Sequence, residues 1–219
     1  YEDEKGIKNQ KVFHVSVPNE QVRKYQRIFK SAGLNLKALE IEGVSLARVL
    51  TAGDPTTTLI VDIGSRSTAL LVAEKGLLKY SVQTDWGGGS LTQAVSSSLG
   101  INIKRAEELK KQKGLLGTGG EYELSTLMMP LLDVILGEAK RAKDTYEKNY
   151  KSKIERIILS GGGANLLGLE KYVSDQFGIP AVKADPFAKI TYPPEMAPLI
   201  KEVGPPFSVA LGLGIRQFM

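Results

Sequence analysis

Residues Thr58 to Val72 read T-L-I-V-D-I-G-S-R-S-T-A-L-L-V, an apolar strand, a tight turn of glycine and hydroxyl residues, and a second apolar strand. The only charges are Asp62, at the end of the first strand, and Arg66, in the turn. A carboxylate that ends a buried strand is costly unless something binds beside it. Gly64 and Ser65 carry little side chain, so their amides can form a nest suited to phosphate. A carboxylate next to such a nest suits a hydrated Mg²⁺, which keeps most of its waters. An ordinary hairpin with Asp62 capping the turn would use the same residues, and these residues alone leave both readings open.

Two further places could do chemistry. In I-I-L-S-G-G-G-A-N a strand runs straight into Gly161, Gly162 and Gly163, and a helix follows with Leu166, Leu169, Val173 and Phe177 as its apolar side. Such a turn lets a flat or charged ligand approach backbone at the carboxyl edge of a sheet. Neither G-x-G-x-x-G nor G-x-x-x-x-G-K-[ST] occurs, so dinucleotide and P-loop sites are unsupported. Gly87, Gly88 and Gly89 also precede a helix, where phosphate can bind. Glycines are equally the common way to turn a strand into a helix, which is the preferred reading there. His14, the one histidine, has no partner acid or second ligand nearby in sequence and is set aside.

The elements that must position these residues follow from periodicity and turn chemistry. Residues 11–17 and 34–41 are expected as strands around a helix that starts at Asn19 and carries Val22, Tyr25, Phe29 and Ala32, a compact α+β piece. Val44–Leu50 is a short helix. Lys75-Gly76 turns the second apolar strand into a third, giving a three-stranded meander. Ser90 and Gln93 form a capping box for a helix ending at Gly100. Lys104–Lys113 is a polar helix with charges at i,i+4 spacing, followed by a glycine-rich loop over residues 116–122. A long helix from Ser125 to Tyr150 has Leu127, Leu131, Ile135, Ala139, Ala142 and Tyr146 on one face, with Pro130 in its first turns. Ile179–Val182 is a short strand, Pro193 to Pro206 an extended loop, and Phe207–Ile215 an apolar helix whose small residues imply close packing.

At 219 residues, 42% apolar and 24% charged, the composition is that of an ordinary globular chain with a substantial core. The net charge of +5 permits an acidic partner or nucleotide, but the basic residues are interleaved with 24 acids, which argues against nucleic acid. No cysteine is present, consistent with a reducing compartment, and no apolar run approaches the roughly 20 residues of a membrane span. The expectation is a cytoplasmic protein with no direct membrane insertion. Tyr1 and the polar residues after it look like a chain cut from something longer.

The order of the pieces (D-I-G-S strand, meander, G-G-G-S helix, A-E-E-L-K helix, long helix, S-G-G-G-A strand, helix, small-residue helix) resembles the actin-like ATPase superfamily of α/β, ribonuclease H-like fold, and within it the PilM family of type IV pilus assembly. The resemblance runs from about Val12 to Phe218, and the cell-division family of FtsA shares much of it. It implies ATP and Mg²⁺ as ligands. Asp62, Gly64, Ser65, Ser67 and Thr68 match the second phosphate motif, with Asp62 near Mg²⁺ through water. Glu107 and Lys110 match the helix whose Glu and Lys approach ribose and base. Gly161, Gly162 and Gly163 match the adenosine motif, and Glu42 lies where relatives carry a water-positioning residue. The implied layout is the remainder of subdomain 1C at 1–41, a connecting helix and linker at 42–55, domain II at 56–203 and, at 204–219, a C-terminal helix returning toward a first domain whose phosphate hairpin is missing here.

The implied function is a cytoplasmic ATP-binding scaffold with slow or absent hydrolysis, peripheral to the inner membrane through partners. It would recruit the N-terminal tail of a PilN-like inner-membrane protein and contact other pilus-assembly proteins. The alternatives are an FtsA-like division protein and a small-molecule kinase of the same superfamily. An exposed final helix with Val209, Leu211, Leu213 and Ile215 would invite pairing with a second copy.

Overall fold

The computed structural model describes residues 12–116, 122–188 and 190–218. The chain divides into two units, Tyr1–Ile41 and Glu42–Met219. The first contains helix α1 (Asn19–Ser31), which follows Pro18 and stops at Ala32 and Gly33, the latter with φ +69°. Its Val22, Tyr25 and Phe29 fall on one stripe, as the periodicity predicts. The expected strands on either side of α1 do not form: residues 12–18 and 34–41 carry no ladder. A strand exists only through a ladder of hydrogen bonds with a second strand, and neither segment is paired in the sheet of the described residues. The glycine-rich loop expected after Leu116 lies mostly outside the described residues.

The second unit is built on a five-stranded sheet in the order β3-β2-β1-β4-β5. The meander is as expected, with β1 (Thr58–Ile63), β2 (Thr68–Glu74) and β3 (Leu77–Thr84) paired antiparallel. On the other side β1 pairs parallel with β4 (Arg156–Ser160), and β4 with β5 (Ala181–Lys183). β1 is therefore central, and its near-continuous burial explains the unbroken T-L-I-V run. Alternation sends Leu59, Val61 and Ile63 into one core with α3 (Gly88–Leu99), α5 (Tyr122–Tyr150) and α6 (Leu169–Phe177). Ile60 and Asp62 then point to the opposite face, which α2 (Glu42–Thr51) and α7 (Ala197–Gly214) cover. α4 (Ile103–Lys113) packs on α3 at the edge of the first layer.

Four further expectations need correction. The helix after Trp86 starts at Gly88, two residues before Ser90, and the Ser90 hydroxyl instead accepts from the Gly87 amide at 3.4 Å. In the first half of α5 the buried stripe is Leu124, Met128 and Leu132, one position away from Leu127 and Leu131, which are only half-buried. The largest difference is the Pro-rich span, where α7 runs straight through Pro205 and Pro206. Pro206 cannot donate to the carbonyl four residues back, that of Glu202. The Asn165 side-chain amide takes that carbonyl at 2.8 Å, so a neighbouring turn supplies the bond the helix lacks. The small residues of α7 do pack closely: Gly204, Ser208 and Gly212 are buried, and the Arg48 guanidinium of α2 donates to Gly212 O at 2.8 Å. Val209, Leu211 and Ile215 are partly covered and Leu213 is exposed, so they do not form the uniformly exposed stripe expected.

Candidate functional site

Three segments far apart in sequence line one cavity of about 720 Å³: Gly64 and Ser65 from the β1–β2 turn, Glu107 and Lys110 from α4, and Gly162 and Gly163 after β4. Sites for small ligands are commonly of roughly 300–1,000 Å³. The turn is rigidly mounted. The Gly64 amide donates to Ser67 O at 3.0 Å, and the first amides of α3 grip the turn from behind, Gly88 N to Gly64 O and Gly89 N to Ser65 O, both 2.8 Å. Those two amides are thus consumed by the turn. A Cβ on Gly87 or Gly89 would stand 2.7 or 2.8 Å from the turn's carbonyl oxygens, which is why glycines occupy this junction. The G-G-G run turns β3 into α3, as the preferred reading had it, and Gly88 and Gly89 also line the cavity.

The residues singled out from sequence separate into those that face the cavity and those that build it. Thr68 is fully buried and donates to Trp86 O at 2.8 Å, so it braces the turn. Ser67 does not line the cavity, and its carbonyl closes the turn. Gly161 has φ +76° and sits where a Cβ would meet Ile63 O at 2.5 Å, so this glycine lets the chain cross β1. A Cβ on Gly163 would meet the Ile63 side chain at 2.3 Å, whereas nothing lies within 4 Å of a Cβ on Gly162. Of the three, Gly162 presents open space.

Asp62 is not among the residues that line the cavity; it lies partly buried on the α2 and α7 face of the sheet, opposite Ser160 in the β1–β4 register. Burial pushes its carboxyl above the usual range, the negative charge of Glu42 adds to this, and a hydrogen bond with Ser160 works against it. Asp62 therefore holds its proton more tightly folded than unfolded. Stability contributed at this group falls as pH rises from the unfolded value, about 3.9, through the raised folded value, and the penalty persists at neutral pH. Asp62→Asn is expected to melt higher than the wild type at pH 7 without ligand, the difference shrinking toward pH 4; a pH series of thermal melts checks this.

Glu107 behaves oppositely. Burial acts to raise it, but hydrogen bonds from Lys110 and Thr92 and the charges of Lys110 and Lys111 outweigh this and hold it below the usual carboxylate range. Residues that pattern reasoning missed include Thr92, in that network, and the cavity-lining Lys111, Lys183, Lys201 and Asn165. Lys111 adjoins the A-E-E-L-K motif and was the one with a local signal; the other three cavity-lining residues are brought in only by the tertiary fold.

A nucleotide fits this site on its shape, its open Gly162 and its excess of lysines. For a metal, no group of three or more acidic or histidine side chains able to hold one occurs among the described residues. A Mg²⁺ bound mainly by phosphates and water, with Asp62 as an outer partner, fits that donor set.

The model for the type IV pilus assembly protein PilM family matches residues 3–218. The chain belongs to that family. Among solved structures, the PilM–PilN type IV pilus biogenesis complex superposes with a TM-score of 0.77 at 25% identity, covering 92% of this chain and 59% of that one. MreB 5 of Spiroplasma citri, solved with AMPPNP, gives a TM-score of 0.69 at 17% identity over 92% of this chain and 66% of its own, a likeness of fold. The cell division protein FtsA of Enterococcus hirae is 25% identical over 185 residues, 74% of this chain and 41% of FtsA. The chain thus spans about two fifths of FtsA and three fifths of the PilM-family chain in that complex. The fold is that of the actin-like ATPases. Among the described residues no helix is long and apolar enough to cross a membrane.

Proposed function

We propose that this chain carries one jaw of an ATP site in a cytoplasmic actin-like scaffold for type IV pilus assembly. The observation that supports it is the convergence of Gly64 and Ser65, Glu107, and Gly162 on one cavity edged by lysines. In this reading Ser65 and the turn hold phosphate, Glu107 takes the ribose and the purine lies against Gly162. When bound, Mg²⁺ neutralises phosphate charge and draws on Asp62 through water. Glu42, whose charge reaches Asp62, takes in this reading the place of the relatives' water-positioning residue, and hydrolysis is slow or absent. The domain assignment follows the family: residues 1–41 are the remainder of subdomain 1C and 56–203 are domain II.

The ligand is then a structural one that stabilises by mass action. At a hundredfold excess over its Kd, Mg-ATP contributes about 2.7 kcal/mol, which for a domain of this size is a Tm rise of roughly 5–10 °C. Asp62→Ala is expected to abolish most of that rise; an equal rise in wild type and variant, or none in either, would overturn the reading. The family and the PilM–PilN complex support recruitment of the tail of a PilN-like inner-membrane protein, which titration of such a labelled peptide against the full-length protein tests directly. The second reading, a division role, rests on the FtsA match, and the family assignment favours pilus assembly.

A further inference from the structure

We propose that α1 is a membrane-surface helix, lying in the headgroup layer of an anionic bilayer with its apolar stripe toward the lipid. This is a direct contact, additional to attachment through partners, and it needs no part of the nucleotide reading.

Successive residues of an α-helix turn by about 100°, so Val22, Tyr25, Ile28 and Phe29 share one arc of about 120°. Arg23, Lys24, Arg27 and Lys30 fill the opposite arc, and Glu20 is the one acid of the helix. Large apolar side chains on one side and cations on the other are the signature of a helix that lies in a lipid interface. The stripe has no cover: Tyr25 is 47% exposed, Ile28 is 50% exposed, and no residue of α1 is buried. None of residues 12–41 is buried either, and Phe13, Val15 and Val17 before the helix and Leu34 after it are exposed. A group of that extent marks a surface that meets something. Charge says what it meets. Residues 12–41 hold Arg23, Lys24, Arg27, Lys30 and Lys37 against Glu20 and Glu40, which is more than half of the chain's net charge of +5. Among the described residues none of the four cations of α1 is in an ion pair. A second copy laid on the stripe would bring like charges together, whereas anionic headgroups neutralise them. Lys24 borders the stripe beside Ile28, and its long stem lets the ammonium stay among headgroups while the stripe sinks. At 13 residues α1 is too short to cross a bilayer, so it lies in the plane.

Flotation of the full-length protein with vesicles tests this, using phosphatidylcholine alone and an equal mixture with phosphatidylglycerol. Wild type should bind the mixed vesicles at least about tenfold tighter than the neutral ones. Raising salt from about 0.1 M to 1 M shortens screening from about 10 Å to 3 Å and should release most of it. Arg27→Gln with Lys30→Gln should weaken binding to mixed vesicles about 25-fold, roughly fivefold for each cation lost, with an unchanged Tm. Ile28→Ser should weaken binding to mixed vesicles severalfold while keeping the salt dependence. Lys148→Gln with Lys153→Gln removes two exposed lysines of the other unit and should bind as wild type. Wild type that ignores phosphatidylglycerol vesicles overturns the proposal: the stripe is then covered by protein, whether further chain, a second copy or an acidic partner. An Arg27→Gln, Lys30→Gln variant that binds as wild type does so too, because the contact then lies elsewhere on the molecule. These variants sit on an exposed face with residues that favour helix, so their folding is not at stake.

Discussion

Gly161→Ala is expected to lower the Tm by roughly 5–15 °C, while Gly162→Ala, one residue on, leaves it within about 2 °C. At Gly161 two penalties add. Its φ of +76° is left-handed, which costs an alanine about 1–2 kcal/mol, and its Cβ would press on Ile63 O at 2.5 Å, an overpacking of roughly 1–3 kcal/mol more. The neighbour is backbone of the central strand, paired with Thr68 of β2 and next to Asp62, the last residue paired with β4, so it cannot rotate away. At Gly162 neither term applies. The effect there belongs to the ligand: a methyl projecting into the cavity should weaken Mg-ATP severalfold in a folded protein. Thermal melts with and without nucleotide separate the two glycines, and a Gly162→Ala variant that melts as low as Gly161→Ala would contradict this division of labour.

That division also marks what the sequence could and could not convey. The S-G-G-G-A run showed that backbone approaches something; it could not say that two of the glycines approach Ile63 and one approaches open space. The β1–turn–β2 hairpin was legible because its pairing is local and its burial nearly complete, leaving Asp62 conspicuous. The flanks of α1 were misread because apolar alternation describes a strand's side chains and not its ladder, which depends on residues elsewhere. The span from Pro193 to Pro206 was misread because proline chemistry is local whereas its remedy, the Asn165 amide on Glu202 O, arrives from 37 residues away. Thr92 carried no signal at all: a threonine in the middle of an ordinary helix becomes part of the site only once α4 packs against α3.

Gly212→Ala should destabilise the protein although general rules of helix stability say the reverse. In a helix interior that change ordinarily stabilises by about 1 kcal/mol. Here the new Cβ would stand 2.2 Å from Ser45 O and 2.6 Å from the carbonyl carbon of the same residue. Both elements are helix backbone, so relief requires α2 and α7 to move apart, loosening Leu46 and Ala47 in the core and the Arg48 bond to Gly212 O. A cost of roughly 2–4 kcal/mol outweighs the propensity gain. Gly214→Ala, with nothing within 4 Å, is the control and should melt at or slightly above wild type. The crossing also bears on the site. The carbonyl of Pro205 in α7 receives the Gly161 amide at 3.2 Å and lies 3.4 Å from the Ser160 hydroxyl, whose one proton can go to it or to Asp62. Displacing α7 therefore disturbs the carboxylate beside the phosphate turn, and Gly212→Ala is expected to reduce the Mg-ATP-induced rise in Tm as well as the baseline. A variant with a lowered Tm but an undiminished nucleotide response would show that the helix crossing supports the fold without supporting the site.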